Sequence, residues 1–102
     1  MIDENMFWGL IDVWEMDTKF YSSSTDILSH PSVTTLIRMG SEIIPLTLVA
    51  MKDNFHLAYV LHKITGAWPV KNEYAGNGPK IIESWYNWAR KQGYQIEAKR
   101  KT

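Results

Sequence analysis

The chain has 102 residues, 45% of them apolar, and 11 lysines and arginines balance 11 acids. That length supports one domain burying about 65% of its unfolded surface, and the zero net charge suggests neither nucleic acid nor an acidic membrane as partner. The absence of cysteine excludes a disulfide framework, a thiolate zinc site and a thiol nucleophile.

The two halves differ in charge. Residues 1–51 hold seven acids and two bases, residues 52–102 four acids and nine bases. One reading packs an acidic first helix near a basic last one. The other is a dipolar surface that steers a charged partner. The N-terminal stretch MIDENMFW is acidic and lacks the basic and apolar regions of a signal peptide, so a bacterial-type cytoplasmic setting is expected.

In chain order, the pattern predicts a first helix from about Glu4 to Thr18 with Asp3 as N-cap. Its expected inward arc contains Ile2, Met6, Phe7, Leu10, Ile11, Val13 and Trp14, and Trp8 falls in the polar arc. An indole there is either an exposed contact or covered by the loop around Phe20 and Tyr21. Residues 21–29 read as a break with one helical turn through Ile27 and Leu28. His30-Pro31 stops that turn and opens a helix to Met39, closed by Gly40 as a left-handed cap.

The run Ile43–Met51, IIPLTLVAM, is apolar on nearly every side and too short for a bilayer, so neighbouring helices must wrap it. It forms the centre of an expected helix 42–52, capped by Ser41. Pro45 is tolerated within the first turn. A further helix over 55–65 carries the stripe Leu57, Val60, Leu61 and Ile64 and ends at Gly66. In the irregular stretch 67–78, Trp68 and Val70 are expected to hold the loop to the core. The last helix starts at Pro79 and ends at Gly93, and residues 94–102 form a frayed basic tail. The expectation is an all-α, single-domain bundle of about five helices, with 42–52 buried at its centre.

His30-Pro31, Ile37, Met39-Gly40, Ile44-Pro45-Leu46, Ile64-Thr65-Gly66 and Pro69-Val70 together resemble a group of small, uncharacterised bacterial helical proteins. The likeness spans roughly Tyr21 to Tyr94; it implies a helical fold and brings no assigned chemistry. The helical hairpin around Pro45 also resembles one unit of HEAT-type repeats, whose usual role is protein binding, although no internal period accompanies it.

Candidate chemistry is sparse. His56 and His62 stand six apart on one helix and point in different directions, so the histidines offer no zinc site unless all three converge with a carboxylate. His56, Tyr59 and Lys63 share an outward strip at i, i+3 and i+7, suited to a contact patch or, less directly, to a metal-independent hydrolase. Gly76-Asn77-Gly78-Pro79-Lys80 has no strand before it and no G-K-[S/T] after it, and is a loop with a good helix start. Lys80, Arg90, Lys91, Lys99, Arg100 and Lys101 give the C-terminal part a basic side, but the helix 55–65 offers no Arg, Asn or Gln to read bases. The function expected is non-catalytic binding of another protein, or of a second copy, without cofactor, metal or membrane. Trp8 and the strip His56, Tyr59 and Lys63 are the contact candidates. A nucleic-acid-associated regulator using the basic side is the alternative, and a small hydrolase the third.

Overall fold

The computed structural model describes residues 3–94. Six α-helical segments run in order: α1 Glu4–Asp17, α2 Ser24–Leu28, α3 Pro31–Met39, α4 Ile44–Met51, α5 Leu57–Thr65 and α6 Gly78–Lys91, with no strand among the described residues. Because α2 is a single turn, the domain is the expected bundle of five principal helices. The tail from residue 95 and Ile2 lie outside the described residues.

Local chemistry explains the starts. Asp3 caps α1 by accepting the Met6 N–H at 3.1 Å, and Asn77 caps α6 by accepting the Lys80 N–H at 3.2 Å. His30 caps α3: its Nδ1 accepts the Ser32 N–H at 3.0 Å while its Nε2 lies 2.8 Å from Asp17. An Nδ1 that accepts leaves the proton on Nε2, so the imidazole donates to the Asp17 carboxylate. One histidine thus starts α3 and ties it to the end of α1.

Two boundaries differ from the sequence reading. The segment expected to begin α4 at residue 42 is wound as a 3₁₀ turn over Gly40–Ile43, and Ser41 makes no side-chain cap there. Pro45 consequently sits in the first turn of α4, where its missing N–H costs nothing. Gly40 is not in the left-handed helical region. Its φ of 76° and ψ of −159° lie in the mirror-extended region that is essentially reserved for glycine. The chain changes direction there, so 31–51 is not one straight rod. That 21-residue stretch is long and apolar enough to cross a membrane by composition, yet Val33, Leu36, Ile43, Ile44, Leu48, Val49, Ala50 and Met51 are buried inside the domain. Gly66, by contrast, ends α5 in the left-handed conformation expected of it.

The centre is as expected. Within α4, Ile44, Thr47, Leu48, Val49, Ala50 and Met51 are buried, which covers nearly the whole circumference; Pro45 alone is exposed and Leu46 half-buried. α5 lies against α4 and α3, α6 against α4 and α5, and α1 against α3. Tyr86 of α6 donates its hydroxyl hydrogen bond to the Leu48 carbonyl at 2.9 Å, fastening the last helix to the central one. Burial, aided by the charge of Asp53, raises the Tyr86 pKa. Trp14 of α1 is fully buried and its indole N–H donates to the Ile27 carbonyl at 2.8 Å, which holds α2 against α1.

Candidate protein-interaction face

α1 sorts its side chains differently from the sequence pattern. Phe7, Ile11 and Trp14 are fully buried and Trp8 is only 7% exposed, with its ring edge-on to Phe7 at 4.9 Å. Trp8 thus belongs to the core, and its candidacy as an exposed contact is overturned. Phe20 and Tyr21, in the turn after α1, are themselves exposed. The reason is area. Eight of the eleven residues from Met6 to Met16 are apolar, so periodicity selects no face. The orientation that buries two indoles and a phenyl removes the most apolar surface from water.

Turning α1 that way leaves other apolar residues outside. Met6 is 50% exposed, Val13 51%, Met16 76% and Phe20 91%. Met6, Val13 and Met16 stand at i, i+7 and i+10 on one side of α1, with Gly9 between the first two, and Phe20 follows in the turn after the helix ends. Asn5 and Asp12 border that side at one edge and Asp17 at the other, by their helical positions. That side was legible only in part, because Met6 and Val13 had been assigned inward.

The strip on α5 is retained but altered. His56 and Tyr59 are half-buried and only Lys63 is exposed, its ammonium 5.4 Å from the Tyr59 ring centre. α2 runs beside it: Tyr59, Thr25, Leu28 and Ser29 line an open depression of about 350 Å³. His56 stacks on Phe55 at 4.5 Å, and its Nε2 lies 3.4 Å from the Ser24 hydroxyl. That separation exceeds the reach of about 2.6–3.2 Å within which a base activates a nucleophile, and Ser24 is exposed at the start of a single-turn helix.

Burial holds the His56 imidazole below its ordinary value of 6.5. Between the lowered folded value and the ordinary one the unfolded chain binds more protons. The contribution of His56 is therefore complete above pH 6.5 and lost as the pH falls through the folded value. We expect the urea midpoint to drop more steeply between pH 7 and pH 5 for the wild type than for His56→Gln. Parallel pH profiles would show that burial of this ring is not coupled to folding.

The other histidines are engaged separately, His30 with Asp17 and Ser32, and His62 donating from Nδ1 to the Ala67 carbonyl at 2.8 Å. Among the described residues no group of three or more His, Asp or Glu side chains converges. No protein-family profile matches the chain, and no curated protein or solved structure matches it either. The site is therefore read from geometry alone.

On the α6 side, Trp68 is 50% exposed but packs edge-on to His62 and Trp85, so it does hold its loop to the core, as does buried Val70. Lys80 lies 3.6 Å from Glu83 and over the Tyr74 ring, and Arg90 donates to Asn87 at 2.9 Å. Lys91 and Lys71 flank a notch of about 310 Å³ that also contains Glu83, Asn87 and Trp88. The described bases are scattered among neutral and acidic partners, an arrangement suited at most to phosphate contacts. Lys99, Arg100 and Lys101 lie outside the described residues.

Proposed function

We propose that this domain is a non-catalytic interaction module, a small adaptor, regulator or inhibitor that binds another protein in the bacterial cytoplasm. One observation carries the reading: Met6, Val13 and Met16 stand half to three-quarters exposed on one side of α1, and Phe20 is 91% exposed in the turn that follows it. Lone exposed apolar residues are ordinary, but several on one side of a short helix point to a contact surface. A chain with enough core to bury two indoles on this helix has no structural need for the second apolar side.

Met6→Ser/Val13→Ser/Met16→Ser tests it. Each side chain is at the surface, so the melting temperature should stay within a few degrees of the wild type's, given about 0.5 kcal/mol or less per surface site. Affinity capture from the native host should lose its retained protein. Equal retention by the triple variant would remove α1 as the contact face, and a collapse in melting temperature would show that this side belongs to the core.

A further inference from the structure

α1 carries a second peculiarity at Gly9. A glycine inside a helix costs about 1 kcal/mol relative to alanine, so its presence calls for a reason. Conformation supplies none, because Gly9 is not among the glycines with positive φ. Packing supplies none either: a Cβ built on Gly9 meets no atom within 4 Å. The residue sits on the exposed side of α1 between Met6 and Val13. A missing side chain there is a low point at which another backbone can come close. Met6 to Met16 spans about 15 Å at 1.5 Å per residue, the length of roughly three turns of a helix laid alongside.

Charge selects the occupant. Residues 3–20 contain Asp3, Glu4, Asp12, Glu15 and Asp17 against the single base Lys19. The described bases of the second half, Lys52, Lys63, Lys71, Lys80, Arg90 and Lys91, are spread over several other segments, and none of them belongs to α1. A second copy bringing its own α1 would set one acidic border against another, which is unfavourable. A partner with lysines and arginines beside its apolar face meets opposite charge instead.

We infer that α1 is the docking face for an amphipathic helix whose apolar stripe is flanked by basic residues, with Gly9 as the point of closest approach. This rests on the interaction reading above, and names the partner's chemistry. The probe is a fluorescein-labelled 18-residue peptide of leucine and lysine in helical amphipathic order, compared with its leucine and glutamate twin, on the full chain. The lysine peptide should bind at least tenfold more tightly than the glutamate peptide, and should weaken as salt is raised. Gly9→Leu is the decisive variant. It enlarges the apolar surface, so an unspecific greasy contact would strengthen, whereas a helix seated on Gly9 should lose at least tenfold in affinity. The variant's melting temperature should hold or rise, since the added side chain enters open space. Equal binding of both peptides would overturn the basic partner while leaving the contact face standing. Tighter binding by Gly9→Leu would overturn the close approach. A wild-type dimer in sedimentation that Met16→Ser dissociates would make the occupant a second copy. No binding of either peptide, together with unchanged capture by the triple α1 variant, would remove the interaction reading itself.

Discussion

Trp14→Ala is expected to remove about 3–5 kcal/mol from the stability of the fold, the ordinary cost of emptying a fully buried large aromatic site. Trp14 has no exposed surface and packs within the core beside Phe7 and Ile11. Its loss also leaves the Ile27 carbonyl without the indole N–H that reaches it at 2.8 Å. Because that bond is the described tie between α1 and α2, the turn Ser24–Leu28 should loosen with it. For a domain of this size about 4–8 °C accompanies each kcal/mol, so the melting temperature should fall by on the order of 15–30 °C. Trp14→Phe separates the two contributions, since it keeps most of the packing and deletes only the donor. It should lose appreciably less, and equal losses for the two variants would show that the hydrogen bond dominates.

Leu48→Ala is the second severe change, with an expected loss of about 2–5 kcal/mol. The wrapped centre of the domain stands or falls with this residue. Leu48 is 1% exposed on a helix whose neighbours Thr47, Val49, Ala50 and Met51 are buried as well. A hole opened there cannot be filled from solvent, and the close-packed surroundings relax only in part. Leu46→Ala, two positions away on the half-buried side, provides the internal contrast. Urea denaturation should give a far smaller loss for Leu46→Ala. Comparable losses at the two positions would mean that α4 is not enclosed as described.

These contrasts also show which parts of the molecule were legible in the residues alone. The all-apolar run Ile43–Met51 has one stable environment, and it occupies that environment. α6 is equally plain, because its apolar and charged residues separate cleanly; Ile81, Trp85 and Ala89 go inward, and Glu83, Asn87 and Arg90 outward. α1 was not, for the opposite reason. With apolar residues at Met6, Phe7, Trp8, Leu10, Ile11, Val13, Trp14 and Met16, periodicity leaves several rotations nearly equivalent. The choice is made by which rings α3 and the rest of the core can accept. Periodicity therefore leaves Trp8 open between surface and interior and points Val13 inward, whereas packing buries Trp8 and exposes Val13. The candidate face was hidden by the same ambiguity. Its best sequence signal is the surplus itself, more apolar positions than one side of a surface helix can bury. The bend at Gly40 was visible as a glycine, but its mirror-extended geometry follows from the 3₁₀ turn after it, which Pro45 favours and composition does not announce.

The distribution of indoles has a practical consequence. Trp8 and Trp14 lie on α1, while Trp68, Trp85 and Trp88 form a row in the C-terminal half of the chain, with successive ring centres 6.2 Å and 5.2 Å apart. Rings so close exchange excitation, so the emission of that row is governed by half-exposed Trp68 and is sensitive to added quenchers. The shielded α1 pair should emit at shorter wavelength. One chain thus holds indole reporters in both halves of its sequence, and their relative timing during unfolding would show whether the two halves let go together.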